Sequence, residues 1–334
     1  MKYLVTGHTG FKGSWLTAML KIQGHEVHGV ALNPQKKSLF NEAKIEKYLS
    51  SNIYLDIRNG QELKQTFKDI QPDVVIHLAA QPLVRASYAD PVGTYETNVI
   101  GTLNVLEATR ELNNLRATQI ITTDKVYKNK NQLTGYVETD ELGGDDPYSS
   151  SKAAADIATQ SWRKSFGKSS IAIARAGNVI GGGDYSTDRI IPDLVNALST
   201  NSIMKLRNPN AIRPWQHVLD CLNGYLMLVQ EQIENNLQGE WNFSPLASQI
   251  KSVEDLSNKF ASNWDATLSI EMETSHLKES ELLVLDSSKS RNQLGWVDKL
   301  DWGSTIDWTV DWFKTSNKEA QTLEQIEKFL NEKI

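Results

Sequence analysis

Cysteine is almost missing from this chain: Cys221 is the single one in 334 residues. One thiol excludes a disulfide within the chain and any zinc or iron–sulfur site built from cysteines. Long apolar runs are missing too, and no stretch reaches the roughly 18 uninterrupted apolar residues that a membrane span requires. The start, Met1 to Gly7, passes from a short apolar stretch straight into a glycine turn, which leaves no apolar region for a secretory signal. A soluble, cytoplasmic protein is therefore expected. The six histidines show no His-x-x-x-His spacing. His25 and His28, three apart at a strand start, point to opposite faces, so no metal site is expected. There is no excess of positive charge: 35 Lys plus Arg against 41 Asp plus Glu leave −6. That balance argues against a nucleic-acid or anionic-membrane partner while leaving room for a local phosphate pocket. No internal repeat, low-complexity tract or flexible linker interrupts the chain.

What is present is a globular composition, 40% hydrophobic and 23% charged, in a chain long enough for two domains or for one domain with a lobe. Strand-length apolar runs at 2–6, 26–32, 52–55, 74–78, 118–123 and 170–176 alternate with helical patterns at 12–23, 61–70, 92–112 and 148–166. That alternation predicts a doubly wound, Rossmann-type α/β fold with a parallel sheet covered on both faces. After Ala176 the rhythm changes. Gly181-Gly182-Gly183-Asp184 and the 207–214 stretch read as loops, with helices around 188–198 and 218–234. Residues 1–176 are expected to form a dinucleotide-binding domain and 177–334 a smaller substrate lobe, with some segments returning to the first. Trp302, Trp308 and Trp312 are expected to pack a core or a subunit contact, and 318–333 to form a polar surface helix.

Val5-Thr6-Gly7-His8-Thr9-Gly10-Phe11-Lys12-Gly13 lies between the first strand and the first helix. Gly7 suits a tight turn, Gly10 a close approach of backbone to a pyrophosphate, and Gly13 close helix–strand packing. The free amides of the helix start would face the anion. His8 either touches the cofactor or fills the turn. The second strand ends at Asn33, followed by Lys36 and Lys37, instead of at the acid usual for NAD. Asn33 can bond a ribose without repelling a 2′-phosphate, so NAD is expected and NADP stays open. Asp56, followed by Ile57, ends the third strand and is placed to receive an adenine amino group or to cap the next helix.

Tyr148 and Lys152, four apart behind Asp145-Asp146-Pro147, share one face of a helix. An ammonium close to the phenol favours phenolate and makes the tyrosine a usable base. With the Thr6–Gly13 loop, His77-Leu78-Ala79-Ala80, Asn98-Val99-Ile100-Gly101-Thr102, Asn178 and Asn292-Gln293-Leu294-Gly295-Trp296, the chain resembles the extended short-chain dehydrogenase/reductase superfamily nearly end to end. The resemblance implies that Leu78, Ala79, Ala80 and Asn98 serve the cofactor. It also implies that Tyr148 removes a hydroxyl proton with Thr123 assisting, Lys152 tunes Tyr148 and holds the ribose, and a homodimer forms through the 92–112 and 148–166 helices.

Asp124 and Lys125 narrow the choice. A sugar-nucleotide epimerase needs no acid beside the threonine, whereas a 4,6-dehydratase must also take a proton from carbon 5 and protonate the oxygen leaving carbon 6. Asp124 suits the acid. Lys125 stands at the base position and would need its pKa lowered by about three units, about 4 kcal/mol, to act near neutrality; as a cation it would stabilise an enolate instead. The strings 6–15, 79–85, 123–125, 176–184 and 207–218 are similar to the branch of nucleotide-sugar 4,6-dehydratases that acts on CDP-glucose. That similarity implies Gln81, Ser87, Asn178, Arg189 and Arg213 as substrate ligands, the arginines donating to diphosphate oxygens. It also implies a product feeding deoxysugars into surface polysaccharide. The alternatives are a carbon-5-inverting dehydratase or a 4-epimerase on another nucleotide sugar. A non-catalytic dinucleotide sensor is disfavoured by the intact Tyr148/Lys152 pair.

Overall fold

Strands β4 (Val74–His77) and β6 (Ser170–Ala176) are buried at every position, as strands covered on both faces must be. The computed structural model describes residues 1–132, 134–206, 208–246, 250–272 and 282–332; Arg207, His276 and Lys333 lie outside them. In chain order the other strands are β1 (Lys2–Thr6), β2 (Glu26–Ala31), β3 (Ser51–Tyr54), β5 (Ala117–Ile121), β7 (Asn178–Ile180), β8 (Met204–Leu206), β9 (Ile212–His217), β10 (Gly239–Phe243), β11 (Ile250–Ser252) and β12 (Ile270–Met272). The main sheet has the order β10-β6-β5-β4-β1-β2-β3, and every pairing in it is parallel. Strand order reverses between β1 and β4, which opens a crevice at their carboxyl ends, the place where doubly wound sheets bind ligands. The expected α/β architecture is present. β10, from the second half of the chain, completes the sheet beside β6, while β7, β9 and β11 form a small separate sheet and β8 pairs with β12.

The helices follow from local signals. α1 (Phe11–Ile22) starts at Gly10, and α2 (Leu39–Glu42) is a single turn. α3 (Gly60–Ile70) is capped by Asn59 and buries Leu63, Phe67 and Ile70, a helical stripe. After α4 (Val84–Ala89), the segment expected as one helix over 92–112 is interrupted. α5 (Pro91–Tyr95) passes through a π turn, Glu96–Ile100, into α6 (Gly101–Thr109). Such a turn adds a residue and redirects one side chain; here it buries Asn98. α7 (Pro147–Phe166) begins with Pro147 and with Asp146 accepting from the Ser149 amide at 2.9 Å. β5 stops two residues short of the expected 123 because Thr123 turns out of the strand and caps a short 3-10 turn, Asp124–Val126.

In the second half come α8 (Ile190–Thr200), α9 (Val218–Asn235), α10 (Val253–Trp264), α11 (Ser288–Leu294), α12 (Trp302–Lys314) and α13 (Lys318–Asn331). Trp312 is fully buried and stands over Gly182, where a Cβ would come within 2.0 Å of its ring. α13 is not a free surface helix, since Ile326 and Phe329 join the main core.

One ion pair is wholly inside. Arg175 of β6 holds Asp156 of α7 through two bonds, Nε to Oδ2 at 2.8 Å and Nη2 to Oδ1 at 2.7 Å. Neither side chain is exposed. Thr122 donates to Asp156 at 3.1 Å, and Arg175 Nη1 donates to the Tyr127 hydroxyl at 2.8 Å. Asp156→Ala should leave a buried, unpaired guanidinium and cost about 3–5 kcal/mol in chemical denaturation, whereas Asp156→Leu with Arg175→Met should recover most of it. A single-variant loss under about 1 kcal/mol would contradict the burial described.

Candidate active site

A cavity of about 600 Å³ lies at the carboxyl ends of β1, β4, β5 and β6, closed on its far side by β7–β9 and α8. At one end is the glycine loop. Gly7 has φ 76°, and a Cβ there would meet the Ala79 amide at 2.7 Å. On Gly13 a Cβ would fall 2.2 Å from the Gly7 carbonyl. The loop is thus pressed between Ala79 and α1 as only glycines allow, and the start of α1 faces the cavity through Phe11, Lys12 and Gly13. This cradle fits the diphosphate of a dinucleotide. Thr6 steadies it: its hydroxyl pairs with His77 Nδ1 at 2.7 Å and accepts from the Ala79 amide at 3.3 Å. His77 is pushed down to about 3 by burial, and further by Lys152, so it stays neutral.

Of the expected cofactor contacts, Gly7, Thr9, Gly10, Phe11, Lys12, Gly13, Asp56, Ile57, Leu78, Ala79, Ala80, Tyr148 and Lys152 line this cavity. Three do not. His8 turns under the sheet, where Gly29 leaves room for its ring and Asn52 meets Nε2 at 2.7 Å. Asn33 is exposed beyond the wall, which Ala31 and Leu32 form instead. Asn98, buried by the π turn, accepts from the Gln81 amide at 2.8 Å and donates to Ser151 at 2.9 Å. These bonds clamp the segment around Gln81 to α7.

Two expected substrate contacts also stand behind the wall. Gln81 folds back to accept from the Leu83 amide at 2.6 Å, and Ser87 receives the Tyr148 amide at 3.1 Å. Asn178, Arg189 and Arg213 do line the cavity. Sequence reading passed over Arg58, which grips Asp56 at 2.7 Å, and over Arg85, Asp184 and Asp188. Arg58 and Asp184 pair with near neighbours in sequence, whereas Arg85 and Asp188 meet across 103 residues, which no local pattern reveals.

At the reacting end, Thr123, Asp124, Lys125, Tyr148 and Lys152 converge. Tyr148 is hydrogen-bonded to Thr123, and Thr123 donates to Asp124 Oδ1 at 2.8 Å. Asp124 Oδ2 is buried with no protein partner among the described residues. Burial raises Asp124 above the usual carboxylate range, outweighing the opposing charges of Lys125 and Arg213. Burial also lifts the Tyr148 phenol to about 12, against the bond from Thr123 and the charge of Arg189. Lys152 donates to the Ile121 carbonyl at 3.0 Å. Its own pKa is lowered to about 8, first by burial and then by Lys12, with Asp156 opposing.

The sign of the Lys152 effect follows. Below pH 8 the lysine is charged both folded and unfolded, and burying that charge costs the fold about 3 kcal/mol. Between about pH 8 and 10.5 the folded form sheds its proton first, so this penalty is relieved and stability rises with pH. Lys152→Met should be the more stable protein at pH 7, and its advantage over wild type should shrink by pH 10 in parallel urea titrations. An advantage independent of pH would refute the lowered pKa.

Comparison with known proteins agrees with this geometry. Residues 4–308 match the family described as GDP-mannose 4,6 dehydratase. A CDP-glucose 4,6-dehydratase of Salmonella typhimurium is 40% identical over 94% of this chain and 90% of its own. A dTDP-glucose 4,6-dehydratase of the same organism is 27% identical over 94% and 92%. Among solved structures, a dTDP-glucose 4,6-dehydratase from Streptomyces venezuelae with NAD bound superposes with TM-score 0.84 at 22% identity, covering 94% of this chain and 97% of that one. The glycine cradle, the Tyr148/Lys152 helix and the Thr123–Asp124–Lys125 turn thus stand in a chain that belongs to the GDP-mannose 4,6-dehydratase family.

Proposed function

We propose that this protein is a cytoplasmic, NAD-dependent CDP-glucose 4,6-dehydratase that converts CDP-glucose to CDP-4-keto-6-deoxyglucose and water. The observation that carries the reading is the chain Tyr148–Thr123–Asp124, ending in a buried carboxyl with one oxygen free of protein partners. An epimerase has no use for such an acid. The 40% identity to a CDP-glucose 4,6-dehydratase supports the nucleotide.

The cofactor is held by the Gly7–Gly13 cradle, Asp56, the 78–80 segment and Lys152; when bound, it supplies reversible hydride acceptance. Tyr148 takes the carbon-4 hydroxyl proton with Thr123 as its hydrogen-bond partner. Asp124, whose affinity for a proton burial raises, gives a proton to the oxygen leaving carbon 6. Lys125 faces carbon 5, either to take its proton or to stabilise the enolate as a cation. Asn178, Arg189 and Arg213 bind the diphosphate, in a lobe formed mainly by 177–334. A homodimer is supported by the exposed apolar face of Val92, Ile100 and Ile157, where α5–α6 pack against α7.

Mass analysis of products from CDP-, UDP-, dTDP- and GDP-glucose should show loss of one water from CDP-glucose. Isomerised sugar with unchanged mass would overturn the reading in favour of an epimerase. Asp124→Asn should lower dehydration about 10²–10⁴-fold while leaving measurable cofactor reduction. Sedimentation of Ile157→Asp should give a monomer where wild type gives a dimer; a wild-type monomer would refute the interface.

A further inference from the structure

Two arginines on the cavity wall are held by two aspartates from one short segment between β7 and α8. Arg189 Nη1 donates to Asp184 Oδ2 at 3.2 Å. Arg85 Nη1, from α4 on the opposite wall, donates to Asp188 Oδ1 at 3.0 Å across 103 residues of sequence. All four line the cavity. Arg85 Nε is buried and has no partner among the described residues, so the guanidinium uses only part of its fork. Asp188 is held in a left-handed conformation, φ 60°, which an L residue adopts at some cost.

Resting on the nucleotide-sugar reading above, we propose that Arg85 is a further ligand of the substrate diphosphate and that Asp188 is its resident competitor, occupying the guanidinium until the substrate displaces it. The reason is charge. A diphosphate bound by Arg189 and Arg213 brings two negative charges into a wall that already carries Asp184 and Asp188. Phosphate oxygens and those carboxylates compete for the same guanidinium donors, a diphosphate carries more charge than one carboxylate, and Arg85 has an unused donor to offer it. The Arg85–Asp188 pair is a third exposed on each side, 36% and 37%. A pair so wetted is weak enough to open. Its opening frees the left-handed backbone of Asp188 and lets the 184–188 segment follow the ligand, so the two walls of the cavity are joined by substrate in place of an internal carboxylate.

Calorimetric titration of the full-length protein with CDP, with CDP-glucose and with cytidine tests this. Arg85→Gln should weaken CDP about tenfold, Arg85→Lys by less, and Asp188→Asn should tighten it about threefold; cytidine should bind all forms alike. Equal CDP affinity in wild type and Arg85→Gln overturns the ligand role. Loss confined to CDP-glucose, with CDP unaffected, would place Arg85 on the sugar and overturn the diphosphate assignment. Weaker CDP binding by Asp188→Asn would make Asp188 a support for Arg85 and overturn the competition. If wild type binds CDP-glucose and turns it over, the parent reading survives any of these results; if it binds neither nucleotide, both fall.

Discussion

The buried Asp156–Arg175 pair is the joint on which the reacting end of this protein depends. Tyr148, Lys152 and Asp156 are spaced by four along α7 and therefore share one face. Asp156 ties that face to β6 through Arg175 and to the end of β5 through Thr122. Arg175 reaches on to Tyr127, which stacks on Tyr136 with ring centres 5.3 Å apart and donates to Asn242 of β10 at 2.7 Å. The turn that carries Thr123, Asp124 and Lys125 is thus fixed at both ends to the element that carries Tyr148. A buried ion pair adds little net stability over apolar packing of the same shape. What it contributes here is direction: the guanidinium on β6 holds α7 and Tyr127 directly, and through Asp156 and Tyr127 it reaches the end of β5 and β10.

The same enclosure sets the electrostatics. Burial favours the neutral forms of Tyr148, Asp124 and Lys152, lifting the first two and lowering the third. For Asp124 that direction matches the work of a general acid, which must arrive with its proton. Taken alone, a charged Lys125 beside Asp124 would depress its pKa and spoil it as an acid. The structure reverses the balance, because Lys125 is only half-buried while Asp124 is enclosed, and desolvation outweighs the neighbouring cations. For Tyr148 burial works against phenolate, so the positive charge of Arg189 nearby matters more than sequence spacing suggested.

Legibility in the sequence followed the range of the interaction. β1 and β6 run over the residues their apolar runs mark, and α7 begins one residue earlier than expected, because strand alternation, a proline and a capping aspartate are local signals. The glycine cradle was readable for the same reason. The π turn at Glu96–Ile100 was not, since its cause is the burial of Asn98 against Gln81 and Ser151, contacts made by distant segments. Of the two readings open for His8, cofactor contact or turn filling, its ring takes the place that Gly29, on another strand, leaves open. Asn33 is exposed one position beyond Leu32, the last residue of its segment to line the cavity. α10 and α12 carry a local signal that was not read as helix: Val253, Leu256, Phe260 and Trp264 in one, and Ile306, Val310 and Phe313 in the other, recur at helical spacing and pack into one core.

This division has a consequence for how such a protein can change its substrate. The chemistry stands on the ends of β5 and on α7, held by hydrogen bonds that run through the centre of the fold. The far wall of the cavity stands on β7, β8 and β9, short strands of two small sheets whose side chains, Met204, Leu206 and Trp215, pack into a separate core with α8, α10 and α12. Substitutions there alter the shape of the cavity without touching the Asp156–Arg175 joint. A change at the joint moves every reacting group at once. Selection for a different nucleotide therefore has one wall free to vary and the other fixed, and the Arg85–Asp188 contact is where the two walls meet.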